Sequence, residues 1–392
     1  MHRRKSAPPH APADRFSGEE LKFMRLALRL ANRGKGRTSP NPAVGAVVVK
    51  GGRVIGRGWH RRSGEAHAEV RAIAQAGVAA RGGTIYITLE PCCTYGRTPP
   101  CTDAIMRAGI KKVIVAALDP NPRHHGRGIA LLRRGGALVR DGLLSREASA
   151  INEDFAKYIT TGLPFTTVKV AMSLDGKIAT VRGDSRWISG TESRRQSHRI
   201  RFSSDAILVG RRTVERDDPS LTARPEGRVV KIPWRIILDS RAEIPLGLNV
   251  LKPPDVSRTI IAVTSGAARG RIARLEALGA RVIRCPARCG RVSLRSLWRR
   301  LGRMGVMSVM IEGGGETVAS ALKAGVVDRV MVFIAPTIIG GRGAPTPVGG
   351  DGIKRIADAI QLSSVAVERC GDDILIVGYV NYGRKWKVER VK

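Results

Sequence analysis

Three residues that can bind a borderline-soft metal ion lie in three separate predicted elements, and this arrangement constrains the fold. His67 opens the helical segment EAHAEVRAIAQAG, Cys92 directly follows the apolar strand TIYITLEP with Cys93 beside it as the alternative ligand, and Cys101 opens the short helix CTDAIMRAG. A helix N-terminus favours a thiolate at Cys101. One ion can reach all three only where the strand end and both helix starts meet, which a layered sheet-and-helix arrangement allows.

The order of these residues also indicates a chemistry. His-Ala-Glu followed by Pro-Cys and a further Cys is the signature of zinc deaminases that act on cytosine-like and adenine-like rings. Three protein ligands leave tetrahedral Zn²⁺ one position for water, as in catalytic sites. Glu69 would pass a proton from that water to a leaving amine. The spacing departs from Pro-Cys-x-x-Cys, since eight residues separate Cys92 from Cys101. The alternative is ordinary cysteines near a solvated histidine.

The pattern of apolar and turn residues in the rest of the first half predicts a mixed α/β domain. The segment EELKFMRLALRLANRG has apolar residues near helical spacing and closes on Gly34. AVGAVVVK and RVIGRGW flank Gly51-Gly52, the composition of a hairpin turn. TIYITLE and KKVIVAALD are strands with a short helix between them, which predicts a parallel pair.

A second domain is predicted after the turn-forming stretch KYITTGLP, at 157–164. We predict a disordered basic tail at 1–16, a first domain at 17–160 and a second at 161–392. The second domain is predicted to be a sheet-rich α/β domain. Its predicted strands are FTTVKVAM, DAILVG, WRIILDS, TIIAVT, ARVIRC, SVMIEGG, RVMVFIAP and DILIVGYV, and its helices include RIARLEALG and ETVASALKAG.

Four segments of the second half carry candidate binding groups. SVMIEGGGETVASAL leads from a strand through three glycines into a helix, where backbone N–H groups can approach a phosphate, although it lacks the Gly-x-Gly-x-x-Gly fingerprint. The cluster AILVGRRTVERDDPSLTAR places Asp217 and Asp218 on a loop. VKVAMSLDGKIAT and GDSRWIS bring Lys169, Ser185 and Trp187 around a turn. The alternatives are a plain glycine turn, solvated or capping acids, and a core tryptophan.

Four segments of the first half, SPNPAVGAVVV, HAEVRAI, TLEPCCTYGRTPPCTDAI and DPNPRHHGRG, resemble the deaminase half of the bifunctional riboflavin-biosynthesis deaminase/reductase family. In that family the longer insert before the second Cys is the normal form. The resemblance implies zinc on His67, Cys92 and Cys101, with Glu69 as proton shuttle. It also implies that Asn41 contacts the base, the alternative being an Asx-turn.

The second half resembles the reductase half of the same family through KVAMSLDGKIA, GDSRWI, ILVGRRTVERDDPSLTAR, ILDS and IEGGGET. The implied fold class is α/β: a cytidine-deaminase-like three-layer domain followed by a dihydrofolate-reductase-like domain. Lys169 and Asp217 are candidates for polar assistance at the reacting carbon. The implied NADPH contacts are Ala171, Trp187, Thr213, Asp217, Ser240, Gly314, Gly315, Glu316, Thr317, Val318, Ala319 and Ser320. The implied substrate contacts are Ser185, Arg201, Leu221, Arg224 and Glu312, with both arginines suited to a phosphate.

The resemblance implies two successive reactions. The first half would deaminate a diamino-ribosylamino-pyrimidinone phosphate with zinc, and the second would use NADPH to reduce the ribosyl chain to a ribityl chain. One rival is a tRNA or nucleobase deaminase whose basic second half binds RNA. A second rival is a nucleic-acid-binding module with structural zinc, for which no fourth ligand is placed. A third is that one half is an inactive scaffold.

Charge and composition limit these alternatives. The formal net charge is +35, from 68 Lys and Arg against 33 Asp and Glu, which suits nucleic acid, phosphorylated small molecules or a mere compositional bias. Aromatic residues are 4%, too few for base stacking along a basic surface, so we expect no nucleic-acid partner. Six cysteines and the lack of a long apolar run indicate a cytoplasmic chain without membrane contact. We also expect a homo-oligomer, a dimer or a tetramer.

Overall fold

Two separate sheets organise the chain, one on either side of a division between Thr160 and Thr161. The computed structural model describes residues 16–96 and 99–383. The predicted basic tail therefore lies outside the described residues, apart from Phe16. None of the helices in the described ranges combines the length and the apolar character that a membrane crossing needs.

The first unit is built on a five-stranded sheet with the order β2-β1-β3-β4-β5. β1 and β2 are antiparallel across the Gly51-Gly52 turn, and β3, β4 and β5 run parallel, so the predicted hairpin and parallel pair are confirmed. The strands are β1 (Gly45–Lys50), β2 (Arg53–Trp59), β3 (Thr84–Leu89), β4 (Lys112–Ala117) and β5 (Leu138–Asp141). The helices are α1 (Gly18–Gly34), α2 (Ala68–Ala76), α3 (Cys101–Arg107), α4 (Arg127–Arg134), α5 (Ser145–Ile151) and α6 (Glu153–Thr161).

Helices cover both faces of this sheet, which gives three layers. α1 begins with a capping box, in which the Ser17 hydroxyl accepts from the Glu20 N–H and the Glu20 carboxylate accepts from the Ser17 N–H. α1 lies against β1 at Gly45, whereas α2 lies against β2 at Gly58, whose register partner is Ala46. Because successive strand residues point to opposite faces, α1 and α2 lie on opposite sides of the sheet.

The contact between α2 and β2 requires glycine. A Cβ atom at Gly58 would lie 2.1 Å from the Ala68 carbonyl oxygen, and one at Gly56 would lie 2.1 Å from the Ala72 carbonyl oxygen. The helix therefore packs directly on the strand backbone. This close packing sets the position of the first turn of α2, which follows His67.

The second unit contains a nine-stranded sheet with the order β10-β9-β8-β7-β13-β6-β14-β16-β15. Its strands run parallel from β10 to β14, and β16 and β15 complete it as antiparallel strands. The strands are β6 (Phe165–Ser173), β7 (Ala206–Gly210), β8 (Trp234–Leu238), β9 (Thr259–Thr264), β10 (Arg281–Cys285), β13 (Ser308–Glu312), β14 (Arg329–Ala335), β15 (Gln361–Cys370) and β16 (Asp373–Asn381), with a small hairpin of β11 (Ala287–Arg288) and β12 (Arg291–Val292). The helices are α7 (Thr191–Ser203), α8 (Arg211–Asp217), α9 (Arg269–Ala277), α10 (Leu294–Arg303) and α11 (Gly315–Ala324).

All eight predicted strands of the second half are present, but β15 was not predicted from the sequence. A bulge at Ser364, which has φ 49°, shifts the register between Ser363 and Ala366 and breaks the alternation that marks a strand. β15 is also an edge strand whose residues are almost all exposed. Its sequence therefore lacks the apolar pattern of a buried strand.

Adding one methyl group at Gly58 should destabilise the first unit. We expect Gly58→Ala to cost about 1–3 kcal/mol, because the new Cβ displaces α2 from the sheet. The measurement is the urea midpoint of the first unit. Gly18→Ala is the matched control, since a Cβ at Gly18 meets nothing within 4 Å. Equal midpoints for the two variants would contradict this account of the packing.

Candidate active sites

The side chains of His67, Cys92 and Cys101 meet at one point in the first unit. His67 is the N-cap of α2, Cys101 is the first residue of α3, and Cys92 follows the end of β3. The His67 Nδ1 atom lies 3.2 Å from the Cys101 Sγ atom and 3.6 Å from the Cys92 Sγ atom. All three ligand atoms lie within 4.8 Å of one another. The structure thus brings the three predicted ligands together.

The donor set is suited to zinc. A hydrogen bond from Cys101 lowers the pKa of Cys92, and the same contact raises the pKa of Cys101. A hydrogen bond with Cys92 raises the pKa of His67. One imidazole nitrogen and two sulfur atoms are ligands that Zn²⁺ prefers, and three protein ligands leave one coordination position open.

Glu69 lies beside this group on the first turn of α2. Its side chain is 3% exposed, and burial raises its pKa to about 7. A carboxyl group with such a pKa can both accept and donate a proton near neutral pH. The position and protonation chemistry of Glu69 are therefore those that a proton shuttle needs.

Asn41 and the buried His60 form a second pair near the ligands. The Asn41 Nδ2 atom lies 3.1 Å from the His60 Nε2 atom, and the His60 ring packs edge-on against the His67 ring with centroids 5.1 Å apart. Sequence reasoning identified Asn41 but missed His60, because a single histidine after a strand carries no spacing signal. His60 links the predicted base-contacting residue to a predicted metal ligand.

A buried carboxylate also shapes the loop beside Cys92. Glu90 accepts N–H groups from Asp119, Gly126 and Ile129, which brings the segment DPNPRHHG next to the cysteines. As a result the His124 Nδ1 atom lies 3.6 Å from the Cys93 Sγ atom.

The second unit holds a cavity of about 220 Å³ at the carboxyl ends of its central parallel strands. Ligands bind at this edge in open α/β sheets. The predicted site residues that line it are Lys169, Ala171, Ser185, Arg201, Thr213, Asp217, Leu221, Glu312, Gly314 and Val318. The lining also includes Val170, Ile178, Val209, Arg216, Pro219, Gly313 and Pro347, which sequence reasoning missed. Most of these are apolar or backbone contributors with no chemical signal in the sequence.

Three charged side chains meet in this cavity. Glu312 ends β13 beside Lys169 of β6, and Arg201 of α7 binds the Glu312 carboxylate through Nε at 2.8 Å and Nη2 at 2.5 Å. Arg201 also donates to the Thr222 carbonyl oxygen at 3.3 Å. Burial lowers the pKa of Lys169, while burial acts to raise the pKa of Glu312 and Arg201 holds it below its ordinary value. Much of the hydrogen-bonding capacity of Arg201 is thus used inside the protein.

The other predicted contacts lie outside the cavity lining. Trp187 is 72% exposed, with the Arg194 guanidinium 4.9 Å from its ring centroid. The backbone N–H of Arg224 donates to His198, and the Ser240 carbonyl accepts from Thr264. The remaining residues lie on α11: Gly315, Glu316, Thr317, Ala319 and Ser320. On this helix, the Glu316 carboxylate accepts from the Gly350 N–H at 2.8 Å and from Arg291 at 2.9 Å.

Comparison with protein families identifies both halves. Residues 17–117 match the cytidine and deoxycytidylate deaminase zinc-binding region, and residues 164–376 match the RibD C-terminal domain. The riboflavin biosynthesis protein RibD of Aquifex aeolicus (strain VF5) is 44% identical over 354 residues, covering 90% of this chain and 96% of that protein. RibD of Escherichia coli (strain K12) is 37% identical over 368 residues, covering 90% and 97%.

Solved structures agree with these matches. Acinetobacter baumannii RibD, form 2, aligns with a TM-score of 0.81 at 34% identity, over 93% of this chain and 99% of that one. The diaminohydroxyphosphoribosylaminopyrimidine deaminase/5-amino-6-(5-phosphoribosylamino)uracil reductase of Thermotoga maritima aligns with a TM-score of 0.78 at 34% identity, over the same shares of the two chains. These matches favour a deaminase/reductase over an RNA-directed deaminase. The chain belongs to the RibD family of riboflavin biosynthesis, in which a zinc-dependent, cytidine-deaminase-like half precedes an NADPH-dependent, dihydrofolate-reductase-like half.

Proposed function

We propose that the two units act in succession on one phosphorylated pyrimidine. The first removes the ring amine of a diamino-ribosylamino-pyrimidinone phosphate, and the second reduces the ribosyl chain of the product to a ribityl chain. The convergence of His67, Cys92 and Cys101 next to the buried Glu69 carries this proposal. The charged cavity of the second unit supports the reductive step.

In the first unit, the chain's residues hold the metal and move one proton. His67, Cys92 and Cys101 are the zinc ligands, and zinc supplies the Lewis acidity that makes water nucleophilic at neutral pH. We assign to Glu69 the transfer of the proton from water to the departing amine. Asn41, oriented by its contact with His60, is assigned to the pyrimidine edge.

In the second unit, the residues bind two ligands and stabilise charge at the reacting carbon. NADPH supplies the hydride. We assign to the cofactor the residues Ala171, Trp187, Thr213, Asp217 and Ser240. Residues 314–320, which comprise the N-cap and the N-terminal part of α11, are assigned to it as well. Ser185, Leu221 and Glu312 are assigned to the substrate, with Arg201 and Arg224 toward its phosphate. Lys169 and Asp217 assist the reacting ribose carbon, and the charge of Lys169 is balanced by Glu312.

The single most informative assay follows ammonia and NADPH together. Zinc-loaded protein is supplied with the phosphorylated diaminopyrimidine, and both ammonia release and NADPH oxidation are expected. RNA in place of the substrate should release no ammonia. If the protein produces neither signal with the pyrimidine, the proposed function is wrong.

Glu69→Gln should abolish deamination and leave reduction intact. Loss of the proton shuttle is expected to lower ammonia release about 10²–10⁴-fold. The variant should still oxidise NADPH when the deaminated intermediate is supplied. Glu65→Gln is the matched control, because Glu65 lies two residues before His67 with a side chain that is 42% exposed and pairs with Arg71. Normal deamination by Glu69→Gln would exclude Glu69 as the shuttle.

Lys169→Met should lower the rate of reduction and leave deamination intact. Methionine keeps an unbranched side chain at this half-buried position but removes the ammonium group beside Glu312. NADPH oxidation with the deaminated intermediate is expected to fall about 10²-fold. Ammonia release by the same preparation should match that of the unmodified protein. A variant that reduces the intermediate at the full rate would remove Lys169 from the mechanism.

We also propose that the enzyme is a cytoplasmic homo-oligomer that binds no nucleic acid. The six cysteines are free thiols, as expected in a reducing compartment. β15 is an edge strand, and its residues Leu362, Val365 and Val367 are 39%, 54% and 64% exposed. An exposed apolar edge strand favours pairing with the same strand of a second copy.

A charge on this edge should disrupt the oligomer. Val367→Lys is expected to shift the sedimentation coefficient towards that of a monomer, because charged side chains on an edge strand, lysine above all, oppose its pairing with another strand. Val78→Lys is the matched control, since Val78 is 96% exposed in the first unit. An unchanged oligomer in Val367→Lys would place the interface elsewhere.

A further inference from the structure

The loop at 217–221 forms part of the wall of the reductase cavity. Asp217, Pro219 and Leu221 line the cavity, and Asp218 lies between the first two. Asp218 has φ 37° and Leu221 has φ 51°, so both adopt a left-handed backbone that residues other than glycine rarely adopt. The conformation of this wall therefore depends on contacts from outside the loop.

Asn249 supplies these contacts to Asp218. The Asn249 backbone N–H donates to Asp218 Oδ1 at 2.7 Å, and the Asn249 Nδ2 atom donates to Asp218 Oδ2 at 2.8 Å. The same Nδ2 atom also donates to the Asp218 carbonyl oxygen at 3.1 Å. One residue thus binds both the carboxylate and the backbone of the left-handed residue.

Asn249 is itself held in place. The Lys252 Nζ atom donates to the Asn249 Oδ1 atom at 3.0 Å, which turns the Nδ2 atom toward Asp218. Asn249 begins a 3₁₀ turn, Asn249–Leu251, whose other residues are buried in the core around β8 and β9. Asn249 does not itself line the cavity. It can act on bound ligands only through Asp218 and the loop.

Three arginine side chains contact the backbone of this segment at residues other than Asp218. Arg186 donates to the Asp217 carbonyl oxygen at 2.6 Å, and Arg201 donates to the Thr222 carbonyl oxygen at 3.3 Å. Arg235 lies 3.5 Å from the Ser220 carbonyl oxygen, at the limit for a hydrogen bond. None of these three contacts involves Asp218, where the chain leaves α8.

We propose that Asn249 is a positioning residue for the reductase reaction. It holds Asp218 in the left-handed conformation and thereby presents Asp217 and Leu221 to the cavity. This inference rests on the proposed use of the cavity by NADPH and the pyrimidine. A positioning role predicts a change in ligand binding rather than a general loss of folded protein.

Asn249→Asp tests the proposal, because it places a second carboxylate against Asp218. The KM for NADPH is expected to rise about ten- to hundredfold, with a smaller change in kcat. Ammonia release by the first unit is the internal control and should not change. Asn32→Asp, which makes the same substitution on the exposed side of α1, should leave both activities unaltered.

A reciprocal exchange separates this role from a merely structural one. In Asp218→Asn combined with Asn249→Asp, an amide again faces a carboxylate, and asparagine tolerates a left-handed backbone. The double variant is expected to reverse most of the rise in the KM for NADPH that Asn249→Asp causes. The positioning role is wrong if Asn249→Asp keeps the original KM, if only its kcat falls, or if the exchange restores nothing. Failure of the unmodified protein to oxidise NADPH would instead overturn the proposed function.

Discussion

The close packing of α2 on β2 is the constraint on which the deaminase half depends. Because Gly56 and Gly58 have no side chains, the helix lies directly on the strand backbone. The N-terminal end of α2 then faces the end of β3 and the start of α3, where Cys92 and Cys101 are found. Only His67 belongs to α2, so a small movement of this helix changes the distance from His67 to each of the two cysteines. The site is therefore as rigid as this helix-to-sheet contact.

The reductase half depends on a different interaction, the pairing of the half-buried Glu312 with Arg201 and Lys169. A buried carboxylate is costly without cationic partners, and a buried lysine is costly without an anionic one. The parallel register of β13 and β6 places Glu312 beside Lys169, and α7 adds Arg201. The opposite charges of Glu312 and its two cationic neighbours stabilise one another. Removal of one member therefore changes the charge state and the position of the others.

Much of this organisation could be predicted from the sequence, because it is local. The helix at 18–34, the hairpin at Gly51-Gly52 and the parallel strands β3 and β4 follow from periodicity and turn residues. The meeting of His67 with two cysteines followed from their places at element ends. β15 was missed because its bulge at Ser364 breaks the pattern. The links between His60 and Asn41, and between Asn249 and Asp218, join residues far apart in sequence, and no local pattern encodes them.

The net charge of +35 is not concentrated at the reductase cavity. The reductase cavity is lined by three cationic side chains, Lys169, Arg201 and Arg216, against the carboxylates of Asp217 and Glu312, which leaves a single excess positive charge. The overall field can attract anions, but it is screened by salt beyond about 8–10 Å. Selection among phosphorylated ligands must therefore come from hydrogen bonds within the cavity. The wall at 217–221 contributes one of the two carboxylates, so its backbone conformation directly affects both the shape and the charge balance of the site.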